Sequence, residues 1–253
     1  MKDKIVLISG ATSGFGEAIA IKLAGEGAKI IATGRRIERL NKLRDRFGKD
    51  KFLPLHFDIR DQEKVFSNIN SLDKNWSNID VLINNAGLAK GLNSSDEAEI
   101  EHWNEMVDTN CKGLMYITRA VLKNMGKKND GQIINIGSVA GTYPYFGGNI
   151  YGASKAFVHQ FSLNLRADLA EKNIRVTSIE PGAAETEFSI VRFDGDKDKA
   201  NKTYEGFDPI KSDDIAEVVE FIINSPKNIN INRIEIMSND QSFAGFNFIK
   251  NKL

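Results

Sequence analysis

The chain lacks several features that would point to other functions. Among its 253 residues there is one cysteine, Cys111. No intrachain disulfide can form, which excludes a stapled secreted scaffold and fits a reducing compartment. Its three histidines, His56, His102 and His159, are too scattered for a zinc pattern, so no metal is expected. Charge of one sign is not in excess, because 34 Lys and Arg face 34 Asp and Glu. A broad basic face for nucleic acid is therefore disfavoured. No apolar run reaches the roughly 18 residues of a membrane span. The apolar core of the opening MKDKIVLISG is too short for a secretory signal. These absences predict a cytoplasmic protein with neither nucleic acid nor membrane as partner.

Hydrophobic residues make up 41% of the chain and charged residues 27%, enough for a sizeable core. Short runs rich in Ile and Val recur at 4–9, 29–33, 51–57, 80–84, 132–136, 175–179 and 232–236. Continuous rather than alternating apolarity is how strands buried on both faces read. Between them lie helical segments such as Glu17 to Glu26, Ile37 to Phe47, Ala98 to Asn124 and Tyr151 to Glu171. The alternation predicts an α/β fold: a single Rossmann-type doubly wound domain over 1–253, with a seven-stranded parallel sheet and helices on both faces. Two stretches, 137–148 and 181–209, are irregular. The second is longer than an ordinary connection and predicts a substrate lid at about 182–210.

The first apolar run ends in Ser9 and Gly10, followed by Ala11, Thr12, Ser13, Gly14, Phe15 and Gly16, and a helical pattern begins at once. Gly10 suits a tight turn, Gly14 the approach of a pyrophosphate, and Gly16 close packing of helix on sheet. The N–H groups at the helix start would meet phosphate oxygens, with Thr12, Ser13 and Phe15 completing the turn. No Lys-Ser/Thr pair follows, so a P-loop is not supported. The second strand ends in Arg35 and Arg36, with no acidic residue between Ala28 and Ile37. Two guanidinium groups suit a 2′-phosphate and favour NADP over NAD, unless they only cover the helix. Asp58, beside Ile59, either accepts from an adenine amino group or caps the helix near Asp61. Asn84, Asn85, Ala86 and Gly87 close the fourth strand at the edge where open α/β sheets bind ligands.

Tyr151 and Lys155 stand four apart in a helical segment and so share a face. A free phenol, with a pKa of about 10, is a poor base near neutrality. A nearby ammonium would favour the phenolate, so that Tyr151 exchanges a proton with a substrate oxygen. Ser138, ending the fifth strand, would hydrogen-bond the same oxygen. Lys155 would also hold the ribose of a nicotinamide cofactor. Asn110, a polar residue within an apolar helical pattern, would bend the helix and hold a relay water. Cys111 beside it reads as a small buried residue rather than a nucleophile.

Together these residues resemble the short-chain dehydrogenases/reductases. The resemblance rests on Gly10-x-x-x-Gly14-x-Gly16, Asn84 to Gly87, Asn110, Ser138, Tyr151-x-x-x-Lys155 and Pro181-Gly182. It implies a tetrad of Asn110, Ser138, Tyr151 and Lys155, with hydride transfer on the B face of the nicotinamide. A narrower similarity, carried by ATGRRIERL, DVLINNAGLAKG, ETEFSIVRFDGD and QSFAGFN, is to NADP-dependent 3-hydroxy acid dehydrogenases. It implies oxidation of L-serine, L-allo-threonine or 3-hydroxyisobutyrate, or reduction of malonic semialdehyde. In MSNDQS, Ser238 stands where that group has proline.

Such a substrate needs a donor for its carboxylate, and Arg192 in the lid can supply a two-pronged grip. Tyr145, Gly147 and Gly148 are candidates for one pocket wall, Thr186 for contact with the cofactor, and Glu185 for attraction of a substrate ammonium. The helix bearing His159, Phe161, Leu163 and Leu165 carries more apolar residues than one sheet face needs. The resemblance implies a homotetramer built through it. Phe243, Phe246 and Phe248 are candidates for another interface or for local packing. The rival readings are an NADPH carbonyl reductase for diketones, sugars or β-ketoacyl groups, and a non-catalytic nucleotide-binding scaffold.

Overall fold

The Ile- and Val-rich runs form strands, and all of them lie in one sheet. The structure, a computed structural model, describes residues 1–243. Its strands are β1 (Ile5–Ile8), β2 (Lys29–Gly34), β3 (Phe52–His56), β4 (Val81–Asn84), β5 (Gly131–Ile136), β6 (Ile174–Pro181) and β7 (Arg233–Ile236). They pair in parallel in the order β3-β2-β1-β4-β5-β6-β7. Val6 sits beside both Ile30 and Val81. The chain leaves β1 in one direction for β2 and β3 and returns on its other side as β4, which opens a crevice at their carboxyl ends.

Nine helices are described: α1 (Gly14–Gly25), α2 (Ile37–Phe47), α3 (Gln62–Asn70), α4 (Ile100–Val107), α5 (Leu114–Lys128), α6 (Asn149–Asp168), α7 (Glu187–Arg192), α8 (Lys197–Lys202) and α9 (Ser212–Asn224). Alternate residues of β1 go to opposite faces of the sheet. Val6 and Ile8 join Ile19, Leu23, Leu40, Val219 and Ile222 under α1, α2 and α9. Leu7 joins Val65, Ile69, Val121 and Leu165 under α3, α5 and α6. The sheet is thus covered on both sides, as a continuous apolar strand requires.

Local packing revises some expectations from the sequence and decides between the alternatives in others. The helix expected over Ala98 to Asn124 is broken into α4 and α5 by a π-helical turn at Asp108–Gly113. Gly113 lets this turn press on the loop after β3, since a Cβ there would lie 2.8 Å from Ile59 Cγ2. Asp58 does not cap α3. Asp61 does, accepting from Lys64 N at 3.0 Å. The segment after Pro181 is ordered as α7 and α8 and tied back by a bridge between Ala184 and Ile210. On α6, Leu165 is buried, Phe161 packs on the core, and His159 Nδ1 lies 2.6 Å from buried Glu180, so Leu163 is the exposed apolar residue among those named. Phe243 stacks on Tyr143 with ring centroids 4.8 Å apart, while Phe246 and Phe248 lie outside the described residues. Among the described residues no helix is long and apolar enough to cross a membrane.

Candidate active site

A cavity of about 680 Å³ opens along the carboxyl ends of the central strands. Its nucleotide end is made of two loops joined by short hydrogen bonds. Ser9 Oγ accepts from the backbone N–H groups of Asn85 and Ala86, both at 3.1 Å. Asn85 Nδ2 donates to the carbonyls of Ser9 and Gly10, both at 3.0 Å. Gly10 has φ +68°, and a Cβ on it would lie 2.8 Å from Ala86 Cα. A side chain there meets both strain and backbone. Gly16 faces away from the cavity. A Cβ on it would lie 2.4 Å from the Gly10 carbonyl oxygen, so its work is the close seating of α1.

Thr12, Ser13, Gly14, Phe15, Asn85, Ala86 and Gly87 all line the cavity, as do Asp58 and Ile59. The two arginines differ. Arg36 donates to Thr12 Oγ1 (3.1 Å from Nε), Ser13 Oγ (2.6 Å from Nη2) and Glu187 Oε2 (2.7 Å from Nη1). Arg35 is 59% exposed, and Asp58 is its one carboxylate neighbour among the described residues, at 3.9 Å. Asp58 is held mainly by Arg60, which donates from Nη2 at 2.7 Å. Burial raises the Asp58 pKa, but these bonds outweigh it and hold the carboxyl below its usual range.

At the other end lies the expected tetrad. Tyr151, on the first turn of α6, is buried and faces the Ser138 hydroxyl and the Arg192 guanidinium. Burial pushes its phenol up to about 12, against the pull of Ser138 and Arg192. Lys155, also buried, is pushed down to about 8. Its Nζ donates to the Ile136 carbonyl at 2.9 Å and lies 5.8 Å from the Tyr151 ring centroid. Burial thus raises the phenol and lowers the amine, and Arg192 is the cation that pulls the phenol back down. Ser138 Oγ donates to the Pro181 carbonyl at 3.3 Å, a long bond easily exchanged for a substrate oxygen.

Asn110 sits in the π turn with its side chain fully engaged. Oδ1 accepts from Leu88 N at 2.8 Å, while Nδ2 donates to the Leu88 carbonyl at 2.8 Å and Ser154 Oγ at 3.0 Å. Any relay water here is left to the main chain of the turn. Burial pushes the Cys111 thiol up, in keeping with an inert residue.

Over Tyr151 lies α7. Arg192 Nη2 donates to Tyr145 Oη at 2.8 Å, its guanidinium carbon sits 5.6 Å from the Tyr151 ring centroid, and among the described residues no carboxylate pairs with it. Thr186 caps α7, accepting from Phe188 N at 3.1 Å, beside Gly14. Glu185 is turned out of the cavity, its Oε2 2.7 Å from Lys211 Nζ, and does not meet a substrate ammonium there. Gly148 does not line the cavity either: a Cβ on it would lie 2.9 Å from the Tyr145 ring, and one on Gly147 would lie 2.3 Å from the Leu92 carbonyl oxygen. These glycines let two loops cross rather than admit a substrate.

Sequence reasoning missed Glu187 and Gln241, which line the cavity, and Arg39, which stands behind it. Arg39 was within reach, being three residues beyond Arg36 on one face of α2. Gln241 accepts from Ala183 N at 2.8 Å across the Pro181-Gly182 turn, a contact no local signal announces. Ser238, in place of proline, uses its hydroxyl to bond the Asp208 carbonyl.

The short chain dehydrogenase family model matches residues 4–196. The chain belongs to the short-chain dehydrogenase family. It is 52% identical over 253 residues, all of both chains, to a probable NADP-dependent dehydrogenase of Haemophilus influenzae. It is 53% identical over 242 residues to an NADP-dependent 3-hydroxy acid dehydrogenase of Salmonella typhi, covering 95% of this chain and 97% of that one. The closed form of serine dehydrogenase complexed with NADP+ superposes with a TM-score of 0.95 at 50% identity, covering 97% and 99%.

Proposed function

We propose that this short-chain dehydrogenase is an NADP(H)-linked oxidoreductase acting on the 3-hydroxyl, or the matching carbonyl, of small 3-hydroxy acids. The observation that carries the substrate class is Arg192, a guanidinium without a carboxylate partner among the described residues, held by Tyr145 over the Tyr151 ring. A substrate carboxylate is the anion that fits it. The relatives of the same name support it.

NADP(H), when bound, supplies the hydride. The cavity fits it: main chain shaped by Gly10 faces the phosphates, and the exposed Arg35 guanidinium stands ready for a 2′-phosphate. Tyr151, a neutral phenol, gives its proton to the carbonyl oxygen during reduction. Ser138 donates to the same oxygen and places it. Lys155 holds the ribose hydroxyls. In oxidation the roles reverse: the ionised phenol, its own proton passed to solvent, accepts the proton of the alcohol. We further assign the protein to the cytoplasm, from its single cysteine, and to a homotetramer, for which exposed Met115 on α5 and Leu163 on α6 offer an apolar face.

The test is NADPH oxidation with malonic semialdehyde, and NADP reduction with L-serine, L-allo-threonine and 3-hydroxyisobutyrate, beside a neutral diketone. Turnover of the acids that is lost in Tyr151→Phe and strongly weakened in Arg192→Gln supports the proposal. A wild type that ignores the acids and reduces the diketone removes the 3-hydroxy acid class.

A further inference from the structure

The first turn of α7 places a carboxylate against two arginines at the start of α2. Glu187 Oε2 lies 2.7 Å from Arg36 Nη1, and Oε1 lies 2.8 Å from Arg39 Nη1. Arg36 in turn donates to the hydroxyls of Thr12 and Ser13, and Arg39 Nη1 to the Thr12 carbonyl at 3.1 Å. One end of α7 is thereby fastened to the loop after β1. The other end is fastened to the loop after β4: Gly91 N donates to the Arg192 carbonyl at 3.0 Å, and Arg192 Nε donates to the Gly91 carbonyl at 3.1 Å. A six-residue helix bolted at both ends spans the cavity, with Thr186 against Gly14 beneath it.

These bonds occupy most of the Arg36 donors. Arg35 makes only the distant contact with Asp58. We propose that Glu187 is a positioning residue that locks α7 across the nucleotide loop through Arg36 and Arg39, leaving Arg35 to read the cofactor's 2′-phosphate. The proposal rests on the NADP(H) reading above and gives the two arginines separate tasks.

Charge alone and the lock make opposite forecasts. If Glu187 acts only as a negative charge beside a polyanionic ligand, its removal tightens binding, most of all for NADPH. If it is a lock, its removal loosens NADPH and NADH by the same factor, because both lie under α7.

Fluorescence titration of the full chain with NADPH and with NADH separates these forecasts, with thermal melting to check folding. Glu187→Gln is expected to raise both dissociation constants ~5–20-fold, as loss of two partly exposed charge-assisted bonds would. Glu187→Asp recovers part of that. Trypsin cuts faster at Lys197, Lys199 and Lys202 in the Gln variant. Arg35→Ser raises the NADPH constant ~10–100-fold and leaves that of NADH. Selective tightening of NADPH in Glu187→Gln, or no change for either nucleotide, overturns the lock. An unchanged preference in Arg35→Ser overturns the division between the arginines. A wild type binding NADH as tightly as NADPH fails the cofactor reading instead, while equal loosening of both by Glu187→Gln still supports the lock.

Discussion

At the nucleotide end the floor of the cavity is main chain: the turn at Gly10, sewn to Asn85 and Ala86 by bonds of 3.0–3.1 Å, has no room for a Cβ on Gly10, and the Arg35 and Arg36 side chains stand beside it. At the substrate end the walls are long side chains. Arg192 and Phe188, from a six-residue helix, each lie 5.6 Å from the Tyr151 ring, and Tyr145, from a loop, holds Arg192. A backbone wall recognises what all dinucleotides share and tolerates almost no change. A side-chain wall recognises one substrate class and can be re-cut without disturbing the fold.

Substitutions at the two ends should therefore fail differently. The largest effect expected is that of Tyr151→Phe, which removes the proton donor. Its kcat should fall about 10²–10⁴-fold or more, with NADPH affinity nearly unchanged. Parallel loss of NADPH affinity would mean that the two ends are not separable. Gly16→Ala puts a methyl 2.4 Å from the Gly10 carbonyl oxygen. It should cost about 1–3 kcal/mol in urea unfolding, a loss of stability that no substitution at the substrate wall should match. Arg192→Gln should raise KM for acids ~10–100-fold and leave that for a neutral carbonyl within about two-fold, with a smaller loss of stability than Gly16→Ala, since it gives up the bonds to Gly91 and Tyr145.

The pH profile distinguishes the ends again. With Lys155 near 8 and Tyr151 near 12, a charged Lys155 and a neutral Tyr151 coexist below about 8. kcat/KM for reduction should be level up to that point and fall as Lys155 loses its proton above it. The NADPH-over-NADH preference, set at the other end of the cavity, should not follow the fall. The smallest effect belongs to Glu185→Gln, expected to change KM for L-serine by less than about two-fold, since Glu185 pairs with Lys211 outside the cavity. A larger change would return it to the substrate wall.

The same contrast explains what was legible. The glycine loop, Asn84 to Gly87 and the Tyr151–Lys155 pair depend on local spacing; Gly10, Thr12 to Phe15, Asn85 to Gly87, Tyr151 and Lys155 lie at the cavity, while Ser9, Ala11, Gly16 and Asn84 serve behind it. The helix expected over Ala98 to Asn124 misled because a π turn keeps helical periodicity on either side while shifting it by one residue. Glu185 and Glu187 are chemically alike and two apart, on either side of the Thr186 cap. Nothing local says which faces Lys211 and which faces Arg36 and Arg39.

By itself the sequence determined the seven-stranded α/β architecture, the nucleotide crevice and the placing of Tyr151 and Lys155 on one face of a helix. Those properties come from period, turn geometry and spacing within a helix, all encoded over a few residues. Tertiary structure decided how those residues titrate and what they touch. Burial raises the phenol to about 12 and lowers the amine to about 8, and the crossing of α7 makes Arg36 a fastening while Arg35 stays free. Dielectric surroundings and long-range contacts are properties of the packed chain, so no window of sequence contains them.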